Sequence, residues 1–326
     1  LHKEYRRQRQ MCIRDRAMTM AHRILPETRR AQLRQLIESG NLVRAIEAHS
    51  GISALISSET ASAPNGHAGR SFDALWLSSL TSSASRGLPD MEIYALERRV
   101  ELVDEILNAT SKPLIVDGDT GGDETAFEYL CARLEVAGVS AVVVEDKQHP
   151  KRNSLSLHST HVLEEPAVFG RKLRRGRDVL LSADFMIFAR LESLIAGETV
   201  DDALNRAAIY LDHGAHGVMI HSKERKPDGV FEFLDRFRDA GNRQPVICVP
   251  TTYNDVPAEE LKARGASIVI HANHLIRAAH YAMRQVCLSI LNNDRSREVD
   301  NLITPIAEIF RTVGYDAALE RESQNL

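Results

Sequence analysis

The chain has 326 residues, 43% hydrophobic and 26% charged. That length and mixture suit one large α/β barrel, leave two unrelated domains as the alternative on length alone, and exclude global disorder. The net charge is −4, but residues 1 to 20 hold six Lys or Arg against two acidic residues, so the rest carries −8. An acidic body argues against a nucleic-acid surface. No run approaches the roughly 18 apolar residues needed to span a bilayer, and no signal-peptide pattern is present, so no membrane and a cytoplasmic location are expected.

Along the chain, the leader LHKEYRRQRQMCIRDRAMTM shows no apolar periodicity. It is expected to be non-native or disordered, with the native chain starting near Met18 or Met20. From about Thr28, short β-branched runs alternate with amphipathic stretches, the pattern of βα units on a parallel sheet. The predicted strands are Val43 to Ala48, Ala74 to Leu77, Pro113 to Val116, Ala141 to Val144, Phe185 to Ala189, Gly217 to Ile220, Val246 to Val249 and Ser267 to Ile270. Several are continuous apolar runs, as expected of strands buried on both faces.

Helical periodicity places Phe127, Leu130, Cys131 and Leu134 on one face, and Val200, Ala203, Leu204, Ala207 and Leu211 on another. Thr199 and Asp202 read as a capping pair. Gly138, Gly214, Gly241 and Gly265 read as helix stops. Ser58 to Arg70 reads as a polar loop, and Cys131, Cys248 and Cys287 as buried thiols. Eight alternations predict a closed (βα)8 TIM-type barrel over residues 21–292, with a charged linker and a helical tail over 293–326, helical around Asn301 to Val313.

In such a barrel the chemistry collects just past the strand C-termini. Asp117, Asp119 and Glu145 are oxygen donors suited to a hard cation such as Mg²⁺; a capped polar turn is the alternative for D-G-D-T-G-G. The run E-D-K-Q-H-P-K-R-N-S-L offers Lys147, Lys151, Arg152, Asn153 and Ser154 as an anion-binding lid, or else a solvated charge run. Arg190 suits bidentate anion recognition, or an ion pair with Glu192. His221 suits a phosphoryl oxygen, or scaffolding. His49, His271, His274 and His280 are taken as structural.

These motifs resemble the phosphoenolpyruvate mutases of the isocitrate lyase and phosphoenolpyruvate mutase superfamily, over roughly Thr28 to Phe310. The residues carrying the resemblance are E-A-H-S-G-I-S-A from Glu47, W-L-S-S-L-T-S-S-A-S-R-G-L-P-D from Trp76, D-G-D-T-G-G, the lid run, A-R-L-E-S-L-I-A-G, I-H-S-K, V-P-T-T-Y and A-N-H-L-I-R-A. The resemblance implies a small-molecule substrate: Mg²⁺-dependent conversion of phosphoenolpyruvate to phosphonopyruvate, the step that makes a carbon–phosphorus bond for phosphonate biosynthesis. It implies Asp117 as the direct metal ligand, with Asp119 and Glu145 holding metal-bound waters. Ser78, with the amides of Ser79 and Leu80, would take the carboxylate. Arg190, His221, Lys151 and Asn153 would take the phosphoryl group beside Asp90 and Ser154, with Trp76 as wall. It also implies a homodimer or homotetramer that exchanges its last helix.

A lyase of this superfamily carries a cysteine in the lid run, and residues 147 to 155 have none. Phosphonopyruvate hydrolase is the competing reaction; its members resemble this lid but place threonine where Asn153 stands. Oxaloacetate decarboxylase-like members lack the Lys151 and Asn153 pair. A binding module with an eroded site would have lost a rim ligand, and none is lost. The long Ser58 to Arg70 link, Gly121-Gly122-Asp123 and His149 depart from the family's pattern.

Overall fold

The computed structural model describes residues 24–62, 69–94, 96–156 and 158–324; the expected basic leader lies outside them. Helix α1 (Pro26–Glu38) starts with a proline, whose missing N–H costs nothing there. Then come β1 (Val43–Glu47), α2 (Gly51–Glu59), a small antiparallel hairpin of β2 (Ala61–Ser62) and β3 (Arg70–Ser71), β4 (Ala74–Leu77), α3 (Ser79–Ala84) and α4 (Leu96–Ala109). They are followed by β5 (Leu114–Asp117), α5 (Glu124–Ala137), β6 (Ala141–Glu145), α6 (Pro166–Asp178), β7 (Met186–Leu191), α7 (Ser193–Ala196) and α8 (Val200–Asp212). The series ends with β8 (Gly217–Ile220), α9 (Asp228–Asp239), β9 (Val246–Cys248), α10 (Ala258–Ala263), β10 (Ile268–His271), α11 (His274–Asn293), a 3₁₀ turn at Arg297–Val299, α12 (Ile306–Thr312) and α13 (Tyr315–Gln324).

Eight parallel strands close in the order β1-β10-β9-β8-β7-β6-β5-β4, each expected strand differing from its observed bounds by two residues or fewer at either end. The ring shuts where β1 pairs with β10, Val43 opposite Ile268. Two apolar layers result. Val43, Ala45, Trp76, Ile115, Val143, Phe188, Met219, Ile247 and Ile270 fill the barrel together with Leu33 of α1. The alternate residues, such as Leu75, Val116, Val142, Val144 and Ile187, meet Phe127, Leu134, Phe169 and Phe233 of the surrounding helices. Burial on both faces is why these strands read as unbroken apolar runs.

The end of the barrel opposite the strand C-termini is closed by α1. Arg29 donates to the carbonyls of Leu107 (3.0 Å) and Thr110 (2.8 Å), and Arg30 to that of Glu135 (2.6 Å). These are carbonyls at and just past the C-terminal ends of α4 and α5, of the kind left free at a helix end. The helix stops behave as expected: Gly138 and Gly265 sit at φ +94° and +104°, where a side chain would be strained. Thr199 Oγ1 accepts from the amide of Asp202 (3.2 Å), but the Asp202 carboxylate turns to Arg206 and Ser193 instead of completing the box.

Three expectations are corrected. The Ser58 to Arg70 stretch is not wholly loop: α2 runs to Glu59 and the hairpin brackets residues 63–68, which lie outside the described residues. Cys287 is exposed, unlike Cys131 and Cys248, because it stands on α11, a 20-residue helix that buries none of its residues. The tail is two helices reaching Gln324, where one ending near Val313 was expected. No helix of the described residues is long and apolar enough to cross a membrane.

Candidate active site

The site is built by continuing the inward alternation of the strands for one more step. Asp117 lies two residues beyond inward Ile115, Glu145 beyond Val143, Arg190 beyond Phe188 and His221 beyond Met219. Side chains alternate across a strand, so each polar residue caps the apolar column beneath it. Parallel register then sets Glu145 directly beside Arg190.

Five carboxylates and four cations are buried together here: Asp90, Asp117, Asp119, Glu145 and Glu192 with Arg99, Lys147, Lys151 and Arg190. Arg190 Nη1 lies 3.4 Å from Glu145 Oε2 and 4.0 Å from Asp117 Oδ2. Its Nη2 donates to Ser154 Oγ (2.7 Å) and its Nε to Glu192. Lys151 reaches Asp119, the Ser79 hydroxyl and, at 3.2 Å, Asp90. Asn153 Nδ2 donates to Asp90 Oδ2 (2.6 Å). The run from Lys147 to Ser154 therefore lies over the strand ends, with Lys151 and Ser154 buried, as expected of a lid and not of a solvated charge run.

The electrostatics divide the acids into two kinds. Burial opposes ionisation of Asp119, but Arg99 and Lys151 overcome it and hold that carboxyl well below its usual range. The same contest on Glu192 is won by Arg190, Lys147 and His221. Glu145 goes the other way: burial dominates and pushes it up to about 7, although Arg190, Lys147 and Lys151 pull it down. Neither Glu145 oxygen has a hydrogen-bond donor. An ionised carboxylate buried without donors is costly. His221 is held below the usual imidazole range by burial and by Arg190, while its Nδ1 lies 2.8 Å from Glu192 Oε1.

The expected grouping of Asp117, Asp119 and Glu145 around one point is not formed. Among the described residues no three His, Cys, Asp or Glu side chains are arranged to share a metal ion. Asp119, at φ +55°, turns its carboxylate to Arg99 and Lys151, which neutralise it in place of a common cation. Asp117 Oδ2 accepts from the Ser79 hydroxyl (2.8 Å) and amide (3.3 Å), so the Ser79 amide expected on a substrate carboxylate is engaged here by an acid. The donor chemistry nonetheless fits a hard divalent ion. All three acids are oxygen donors on adjoining strand ends, acids outnumber cations in the cluster, and Glu145 offers two buried oxygens that accept no hydrogen bond, although Lys147 and Arg190 lie 3.3 and 3.4 Å away.

A cavity of about 50 Å³ opens above this layer, room for a few water molecules or a small acid. Eleven expected site residues line it: Trp76, Ser78, Ser79, Leu80, Asp90, Asp117, Lys151, Asn153, Ser154, Arg190 and His221. Asp119 and Glu145 do not line it and sit behind the others. Leu155, Met219, Val249, Thr251, Ala272 and Asn273 complete the wall.

Arg99 was missed by sequence reasoning, though a signal existed. It falls in helical step with Leu102, Val103 and Ile106, all fully buried, and a cation on an apolar stripe must meet a buried anion. Glu192 carries more than the ion pair with Arg190, since it also takes Ser154 Oγ (2.6 Å), His221 and Lys147 (3.2 Å). His49 contacts Glu47, which accepts from the amides of Leu275 (2.7 Å) and Ile276 (3.2 Å) at the start of α11. That supports its structural assignment.

Residues 33–291 match the family model described as phosphoenolpyruvate phosphomutase. The chain is 33% identical to a phosphoenolpyruvate phosphomutase of Tetrahymena pyriformis, covering 90% of this chain and 94% of that protein. It is 32% identical to a phosphonopyruvate hydrolase of a Variovorax species, covering 88% and 95%. Among solved structures, a phosphoenolpyruvate phosphomutase from Streptomyces platensis subsp. rosaceus superposes with a TM-score of 0.83 at 35% identity, covering 90% and 98%. A phosphonopyruvate hydrolase complexed with oxalate and Mg²⁺ gives 0.80 at 31%, with the same coverage.

Proposed function

We propose that this chain, which belongs to the phosphoenolpyruvate phosphomutase family, interconverts phosphoenolpyruvate and phosphonopyruvate by Mg²⁺-dependent phosphoryl transfer. The family is one of phosphotransferring isomerases. One observation carries the substrate assignment: Asn153 and Lys151 of the lid meet Asp90 over a cavity backed by Arg190 and His221, with no thiol among the described residues of its wall.

Asp117 would hold Mg²⁺, with Asp119 and Glu145 as further oxygen donors beside it in sequence and strand order. When bound, the ion supplies Lewis-acid stabilisation of enolate charge. The chain's own residues do the rest. Ser78 and the Leu80 amide orient the carboxylate end. Arg190, with His221 beside it, binds the phosphoryl oxygens through a rigid fork, while Lys151 and Asn153 meet them from the lid. Phosphoryl transfer passes through a loose, metaphosphate-like transition state, so positioning and charge stabilisation are the principal tasks. Trp76, Leu155, Met219, Val249 and Ala272 give the remaining wall a mostly apolar lining beside Thr251 and Asn273, which limits the water near the transferring group.

The competing reading, phosphonopyruvate hydrolase, is favoured by the Variovorax relative at nearly equal identity; Asn153 favours the mutase. Phosphorus NMR of the protein with phosphonopyruvate and Mg²⁺ separates them. Phosphoenolpyruvate as the main product supports the mutase, and free phosphate with pyruvate defeats it. A chelator that leaves turnover unchanged would count against the metal.

We also read residues 21–292 as the catalytic barrel, residues 293–326 as its tail, and the protein as a cytoplasmic homodimer or homotetramer that exchanges its last helix. The support for the oligomer is the exposed apolar surface of α11 to α13, including Leu291, Ile306 and Phe310.

A further inference from the structure

Glu92 stands outside the cavity wall, on the loop that follows α3 and carries Asp90. It has a left-handed backbone at φ +57°, a conformation that a non-glycine residue holds only where its surroundings over-determine it. Its carboxylate supplies that over-determination. Oε1 accepts from the amide (3.0 Å) and hydroxyl (2.7 Å) of Thr120, in the turn that follows Asp117 and carries Asp119. Oε2 accepts from the amide of Lys151 (2.9 Å) and faces His149 Nδ1 at 2.9 Å, both in the lid. A single side chain thus bridges three segments far apart in sequence.

The turn it grips is itself fixed to the body of the barrel, because Lys172 of α6 donates to the Thr120 carbonyl (2.8 Å). The lid is therefore hung from something rigid. Its Lys151 amide is held from behind by Glu92, while the Lys151 side chain goes forward to Asp119, Asp90 and Ser79. Asp90, two residues earlier on the same loop, takes Asn153. Bonds from N–H and O–H donors to a carboxylate are among the stronger ones in a protein.

We propose that Glu92 is a positioning residue for the reaction: it latches the lid to the acidic turn, so that Lys151 and Asn153 are presented to the cavity and water is excluded. The proposal rests on the lid-gated phosphoryl transfer proposed above. It predicts a defect of a particular kind, in which a loosened lid lets water take the phosphoryl group that should go to carbon.

The test uses the whole chain with Glu92→Gln, which keeps the shape and one acceptor oxygen, and Glu92→Ala, which removes both. Hydrogen–deuterium exchange of the free protein reads the latch without any reaction. Amides over residues 147–156 should exchange about tenfold faster in Glu92→Ala, with Glu92→Gln between it and wild type and the barrel strands unchanged. With phosphonopyruvate and Mg²⁺, the share of product released as free phosphate should rise several-fold in the same order. Unchanged lid exchange in both variants overturns the proposal, as does faster exchange spread evenly over the barrel, which would mark Glu92 as merely structural. An unchanged phosphate share beside a faster lid overturns its part in excluding water. If wild type releases only phosphate, the mutase reading fails, and lid exchange still decides the latch.

Discussion

The mouth of the barrel and its C-terminal helices solve opposite problems. At the mouth, nine charged side chains are buried and nearly every charge finds its counterpart within the chain, from Lys151 on Asp119 to Arg190 on Glu192. At the C-terminus, Leu291 and Ile306 are 79% and 71% exposed, and α11 buries nothing along 20 residues. An amphipathic helix normally buries one face, and a contiguous exposed apolar patch marks an interaction surface. At the mouth most charges are paired within the chain, whereas the apolar surface of the C-terminal helices is left uncovered by it.

Substitutions can separate the two regions. Asp117→Ala should lower turnover about a thousandfold, the loss expected when a transition-state charge contact goes, with circular dichroism and molecular mass unchanged. A variant that unfolds would instead make Asp117 a structural residue. Replacing Ile306 and Phe310 together by Asp should convert the proposed oligomer to monomer by light scattering; a mass that stays put removes the proposed interface. Asn153→Ala should cost roughly tenfold in turnover, within the range of one positioned polar group, while the melting temperature moves by no more than about 2 °C. Wild-type turnover in that variant would take the lid out of the mechanism.

The smallest effect concerns pH. Glu145 is pushed up to about 7 by burial, so the folded chain keeps its proton after the unfolded chain has lost it. Stability from this group is therefore present below its ordinary range near 4.5 and declines as pH rises towards 7. A cation bound to Glu145 competes with that proton. The rise in melting temperature on adding Mg²⁺ should be larger at pH 8 than at pH 5.5 by a few degrees. An equal rise at both would separate Glu145 from the metal.

All eight strands could be read from the sequence because they are buried on both faces, and runs such as AVVVE betray that directly. The site was legible for a related reason: the first polar residue after each apolar column has nowhere to point but the mouth. What could not be read depends on distant partners. Nothing local distinguishes Asp119, hydrogen-bonded to Arg99 and Lys151, from Glu145, which accepts no hydrogen bond. Glu92 gave no signal, since its worth lies in three segments that only the fold brings together. The long exposure of α11 was equally hidden, because its apolar stripe has the same periodicity as that of a helix packed on the barrel.

The seam between β1 and β10 has a consequence for how the molecule is made. Val43 pairs with Ile268, and Glu47 waits for the amides of Leu275 and Ile276. A ribosome must therefore emit more than two hundred residues before the first strand gains its second neighbour, and until then that edge can recruit any strand it meets. Newly made chains should lean on a chaperone for that interval, and any fragment stopping short of β10 should precipitate instead of folding as a smaller ring.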